Sequence, residues 1–138
     1  MRRIVILLIL QIIATGFCFG QLPHTFTQYT SEDGLSQNTI MSILQDDKGV
    51  MWFATWDGLY KFDGYTFNNY KAHPGDSIGL SNNRLDNIKE DRYGYIWVQS
   101  YNHQVYRFNP RLERFQAIPY DNYLSLDMYV LPCGDVWI

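Results

Sequence analysis

Cysteine is nearly missing from this sequence: the 138 residues hold two, Cys18 and Cys133. Cys18 falls in an apolar N-terminal stretch expected to be cut away, Cys133 alone cannot make an internal disulfide, and no Cys/His pair has the spacing that holds zinc. Cys133, beside Pro132, reads as a small buried residue. Runs of basic residues are missing too. Eleven Lys and Arg stand against fourteen Asp and Glu, a net charge of −3, which argues against nucleic acid as a partner. No nucleophile elbow, phosphate-cradling glycine loop or metal cluster is present, so no catalytic residue, metal or cofactor is expected.

Only one long apolar run exists, over residues 4–19, after the basic pair Arg2 and Arg3. A short basic start, an apolar core and then small Gly20 make a secretory signal over residues 1–20. Two alternatives stay open. A lipid anchor on Cys18 wants a small residue where Phe17 stands, and an uncleaved anchor would have to span a bilayer with a marginal length. In every case the remainder is exported. Removing the leader leaves nine basic residues against fourteen acidic ones, a charge of −5.

What the sequence has in abundance is aromatic residues, 17% of the chain, set among glycine turns in a line that is written twice. Leu35, Ser36, Asn38, Asp46, Gly49 and Trp52 recur 45 positions later as Leu80, Ser81, Asn83, Asp91, Gly94 and Trp97. The apolar pair Ile40 and Ile43 recurs as Leu85 and Ile88. The offset then becomes 46, where Tyr60-Lys61-Phe62-Asp63 matches Tyr106-Arg107-Phe108-Asn109, and 48, where Phe67 matches Phe115. Insertions therefore fall between matched segments, where loops belong. Gly134-x-x-Trp137 opens a third copy.

Each copy reads as four short strands; in the first they are residues 39–45, 50–55, 59–62 and 65–70. Asp57-Gly58 and Asp63-Gly64 are hairpin turns, because glycine supplies the positive φ that such turns need. The first strand is the weakest assignment, since Leu85 and Ile88 are also spaced as on a helix. Four antiparallel strands in about 45 residues is the period of a β-propeller blade, which buries its faces only against other blades. The expected fold is all-β: a lead-in outer strand over 21–34, blade 1 over 35–79, blade 2 over 80–123 and the start of blade 3 over 124–138. Two blades and a beginning make an incomplete ring, the start of a longer protein.

From Phe26 to Gly64 the chain resembles the two-component regulator propeller repeat: Phe-x-x-Tyr, then "DGLSQN", then "DDKGVMWFATWDGLYKFDG". The second copy departs from it only in turns, at Asn102-His103-Gln104 and Asn109-Pro110. The resemblance implies the extracytoplasmic sensor region of a hybrid two-component system in a glycan-degrading Gram-negative bacterium. It further implies an oligosaccharide ligand, a homodimer, a periplasmic position and, in the parent chain, a membrane helix, a histidine kinase, a receiver and a DNA-binding region. Two rival readings remain. One is a secreted propeller glycosidase or lyase; the other is a protein-binding scaffold. Asp47-x-Gly49-x-x-Trp52 echoes half of the sialidase Asp box, but Gln45 replaces its hydroxyl residue and Arg92 its second Asp.

Repetition separates packing from function. Trp52, Trp97 and Trp137, with Gly49, Gly94 and Gly134, hold one blade position and are expected as structural repeat core. Trp56-Asp57 and Tyr101-Asn102-His103 do not repeat as a unit and fall in turns on one face. The inter-blade loops emerge on that same face and bring Gln37 and Arg84. Exposed aromatics there can stack on sugar rings, with polar groups for the hydroxyls, and an Arg suits an acidic sugar. The plainer reading of Trp56 and Tyr101 is a turn cap folded over the strand beneath, and of His103 a solvated loop residue.

Overall fold

The computed structural model describes residues 25–73, 75, 79–119, 127–131 and 133–137. The leader expected over residues 1–20, with Cys18 and Gly20, lies outside them. The described residues form antiparallel sheets in chain order. Strands β1 (Ile40–Gln45), β2 (Met51–Thr55), β3 (Gly58–Phe62) and β4 (Phe67–Tyr70) make the first sheet. Strands β5 (Leu85–Glu90), β6 (Ile96–Ser100), β7 (Val105–Asn109) and β8 (Arg114–Ala117) make the second. β9 (Tyr129–Val130) and β10 (Val136–Trp137) pair in a third. These are two four-stranded blades and part of another.

The helix-like spacing of Leu85 and Ile88 has a local cause. Along β5 the pairing to β6 runs Leu85↔Ser100 and then Asn87↔Gln99, so Asp86 is an extra residue. Such a bulge shifts the in-out phase by one, and both apolar residues reach the same buried face. β1 shifts at the same place, between Ile40 and Ser42.

One carboxylate organises each β1–β2 type turn. Asp46 Oδ1 accepts the backbone N–H groups of Lys48 (3.0 Å) and Val50 (2.9 Å), while Oδ2 accepts the Trp52 indole N–H at 2.9 Å. Asp91 repeats this with Tyr93 (2.9 Å), Tyr95 (3.1 Å) and Trp97 (2.8 Å). Gly49 (φ 81°) and Gly94 (φ 77°) close these turns in the left-handed region. Both indoles are thereby satisfied, but only Trp52 is fully buried; Trp97, also expected in the core, is half-buried. The third turn has the same backbone bonds, from Leu131 to Asp135 and from Gly134 to Leu131, but its side chain is Leu131. Leu131 has no oxygen to offer the Trp137 indole.

The blades stack face to face. Trp52, Ala54 and Leu59 of the first sheet pack on Leu85, Ile88, Ile96, Val98, Tyr106, Phe108 and Phe115 of the second. The Trp52 and Phe108 rings meet edge-on at 5.6 Å, and Tyr70 lies 4.8 Å from Phe108. The opposite face of the first sheet carries Phe62 and Phe67, which Tyr29 from the lead-in covers at 4.9 and 5.7 Å. No strand forms over residues 25–34; a 3-10 turn, Ser31–Asp33, capped by Thr30, stands there instead.

Two sequence expectations, for Trp137 and Cys133, meet a different environment, and Ile43 differs from its repeat partner. Ile43, the first-blade counterpart of buried Ile88, is 58% exposed, because only the lead-in lies on its face of the sheet. Trp137, expected in the core with Trp52 and Trp97, is 66% exposed, in a sheet described by two strands and lacking the Asp partner. Cys133 is exposed rather than buried, its thiol 3.4 Å from Asp135 Oδ2.

At the blade junction Glu90 accepts the Asp47 backbone N–H at 3.0 Å. Burial, then the Asp47 and Asp46 carboxylates, push Glu90 up to about 7. Glu90 therefore binds its proton more tightly in the folded than in the unfolded chain, so the fold gains stability as pH falls from about 7 towards 4.5. Glu90→Gln is expected to raise the melting temperature at about pH 8 and to flatten its change down to about pH 5. Parallel pH profiles in both proteins would refute this. Asp46→Ala strips several donors of a charged partner and is expected to cost about 3 kcal/mol. Asp135→Ala should stay within about 0.5 kcal/mol. Thermal unfolding of the two variants side by side makes the comparison.

Candidate functional site

Two hairpin turns and two inter-blade loops meet at one end of the stacked sheets. The β2–β3 turn carries Trp56 and Asp57, and the β6–β7 turn carries Tyr101, Asn102 and His103. Backbone bonds tie the loop before β5 to both: the Gly58 N–H donates to the Asn83 carbonyl (2.8 Å), and the Tyr101 N–H to the Arg84 carbonyl (2.9 Å). Asn83 Oδ1 also accepts the Ala72 N–H at 2.6 Å, which closes the loop that joins the blades.

Asp57 sits in a polar hub. Its Oδ2 accepts from the Ser36 hydroxyl (2.7 Å), the Tyr60 hydroxyl (3.3 Å) and the Lys71 ammonium (2.6 Å). Burial alone would raise the carboxyl, but the Lys71, Ser36 and Tyr60 contacts hold it below the usual carboxylate range. Lys71 is correspondingly raised, chiefly by its bond to Asp57. Ser36 pairs with the Tyr60 hydroxyl, and the second blade repeats this with Ser81 Oγ 2.6 Å from the Tyr106 hydroxyl. Asp57 therefore holds the first-blade loop to its sheet, and its charge is already matched.

Arg84 joins the two aromatic turn residues. Its guanidinium carbon lies 4.1 Å from the Trp56 ring centroid and 3.9 Å from that of Tyr101. Both distances are within the range of cation–π attraction, about 6 Å. Trp56 stays 42% exposed and Tyr101 53% exposed, so each ring keeps surface open to a ligand. The stack brings three of the sequence candidates together, and it links the two blades.

The remaining candidates lie elsewhere or turn inward. Gln37 Oε1 accepts the Thr39 N–H at 3.3 Å. Asn102 Oδ1 accepts the Ser100 hydroxyl at 2.6 Å, a bond within its own turn. His103, which has no counterpart in the shorter first-blade turn, has φ 64°, a conformation more open to His than to most residues. It also lines an open cleft of about 390 Å³ with Ser42, Asp86, Asn87 and Asp127, at the first strands of the sheets. Another cleft, of about 400 Å³, lies between β4 and β8 and holds Tyr70, Lys71, His73, Glu113 and Arg114. There Tyr70 donates to Glu113 at 2.8 Å, and burial with that carboxylate pushes the phenol well above its usual range. Among the described residues no group of His, Cys, Asp and Glu is placed to hold a metal ion.

Comparison with known proteins agrees with this architecture. Residues 34–57 match the family described as Two component regulator propeller. Over 56 residues, 41% of its length, the chain is 48% identical to Histidine kinase P4 of Formosa agariphila. It superposes on the extracellular domain of a putative hybrid two component system from B. thetaiotaomicron with a TM-score of 0.63 and 31% identity over 72% of its length. The chain spans 4% of that kinase and 14% of that solved domain.

The turn that presents Trp56 depends on Gly58. At φ 110°, an added Cβ would lie 2.5 Å from the Tyr70 carbonyl oxygen and 2.8 Å from Asn69 Oδ1. Gly64 has a similar φ, 99°, but open space around it. Gly64→Ala is therefore expected to cost only the backbone term, about 1–2 kcal/mol. Gly58→Ala adds overpacking of about 1–3 kcal/mol and should quench or shift Trp56 fluorescence. Equal unfolding midpoints for the two variants would refute the close approach.

Proposed function

We infer that this segment, which carries two-component regulator propeller repeats, senses an oligosaccharide for a hybrid two-component system. The propeller sensor of such a system is the coarse identity, consistent with an extracytoplasmic position. The ligand is the added step. The observation that carries it is the pair Trp56 and Tyr101, held at neighbouring turns on the loop face, each with ring surface exposed. Flat apolar ring faces suit the C–H faces of pyranose rings. Propeller loop faces are common binding sites.

The parent protein is then a periplasmic sensor that works as a homodimer. Ligand bound at the loop face favours one relation of the periplasmic domains over another, and that preference biases a kinase across the membrane. The segment itself performs no chemistry. A ligand can shift such an equilibrium only by its difference in affinity for the two states, so the contact must change when the domains move.

The reading is tested by calorimetric titration of the protein against a panel of polysaccharide-derived oligosaccharides. Binding of at least one family is expected, with a loss of about tenfold or more in Trp56→Ala and a smaller loss in Trp56→Phe. No binding across the panel, or binding indifferent to Trp56 and Tyr101, would overturn it.

A further inference from the structure

The Arg84 guanidinium is more constrained than a turn cap needs to be. It packs over Trp56 and Tyr101 at 4.1 and 3.9 Å, and its Nε is fully buried without a hydrogen-bond partner. Among the described residues its terminal nitrogens make no hydrogen bond or ion pair either. The Asp57 carboxylate, next to Trp56, is already engaged by Lys71, Ser36 and Tyr60. The unsatisfied Nε carries a desolvation cost, while the terminal nitrogens of this half-buried side chain stay open to solvent and to an anion, with no counter-charge supplied by the described residues. Cation–π attraction offsets part of that cost but does not satisfy the N–H donors, which lie in the guanidinium plane rather than on its faces.

We propose that Arg84 is an anion-recognition residue that takes a carboxylate or sulfate group of an acidic oligosaccharide at the Trp56–Tyr101 turns. The proposal rests on the oligosaccharide reading above and narrows it to a charged class. The planar guanidinium edge matches two oxygens of a carboxylate or sulfate, whereas an ammonium would act as a point charge. The rings hold that plane in a fixed direction. Its backbone is fixed as well, through the Tyr101 N–H bond to the Arg84 carbonyl and the Asn82 Oδ1 contact with the Arg84 N–H at 2.9 Å. Less side-chain entropy remains to be lost on binding.

Three probes separate the possibilities: oligogalacturonate, a carrageenan-derived sulfated oligosaccharide and a neutral galactan oligosaccharide, with inorganic sulfate as a fourth. Each is titrated calorimetrically against the whole protein and its Arg84→Gln and Arg84→Lys variants. One acidic probe is expected to bind more tightly than the neutral one. Arg84→Gln should weaken it about 10- to 100-fold and remove the preference. Arg84→Lys should retain part of the affinity, with a steeper salt dependence, and so keeps the test valid if the Gln variant folds poorly. Neutral and acidic probes bound equally, or acidic binding unchanged in Arg84→Gln, would overturn the proposal and leave the oligosaccharide reading intact. Arg84-dependent binding of inorganic sulfate with no glycan bound would instead overturn the oligosaccharide reading. Silence from all four probes would overturn both.

Discussion

The structure depends first on one shared carboxylate per blade. Asp46 and Asp91 each accept two turn N–H groups through one oxygen and an indole N–H through the other. A buried Trp must find an acceptor for its N–H, and a tight turn must satisfy N–H groups that no strand partner reaches. Answering both with one side chain couples the shape of the turn to the position of the largest core residue. The blade interface follows from that coupling, since Trp52 can press on Phe108 only if its ring is held at one height in the sheet. The third turn shows that the backbone bonds alone do not need the carboxylate, since they form in the same pattern with Leu131 in place of Asp.

The blades were legible in the sequence because their causes are local and repeat. Period-2 apolar runs, Asp-Gly turns and the recurrence of Asp46, Gly49 and Trp52 suffice for a four-stranded unit. The strand ends moved by a residue or two, as at β4, which begins at Phe67 because Asp63 spends its Oδ1 on the Tyr65 and Thr66 N–H groups. The bulge at Asp86 was hidden, since one extra residue looks like helical spacing when its pairing partner is unseen. Exposure differed from expectation where it depends on what covers a residue, as for Cys133 and Trp137.

The candidate site was legible only in its membership. Comparing blades singled out Trp56, Tyr101 and Arg84 as departures from the repeat, and strand order put them on one face. Nothing in a linear reading shows that Arg84 leans on both rings, because that contact joins residues 28 and 17 positions apart through two different turns. The partners of Asp57 were hidden for a related reason. A turn Asp looks free to meet a ligand until Ser36, Tyr60 and Lys71 arrive from three other segments. A signal did exist for it: Ser36 and Ser81 recur with Tyr60 and Tyr106, and a hydroxyl pair that recurs at constant spacing is more readily a latch than a site.

The position of the Arg84 stack bears on how a propeller can act as a sensor. Each blade is internally fixed by its ladder and its Asp–Trp pair, so ligand energy has little to change inside a blade. The boundary between blades is different. It is held by ring contacts such as Trp52 with Phe108, by the Asp47 backbone N–H bond to Glu90, and by Arg84 over one ring from each blade. A group that binds the guanidinium edge therefore acts on the joint between rigid units rather than on one of them. Because Trp56 belongs to one hairpin and Tyr101 to the next, any shift that separates the blades also takes one ring away from Arg84. Under the proposed anion recognition, the affinity for that ligand and the relation of the blades would be two readings of the same contact, which is the differential interaction that a population shift requires.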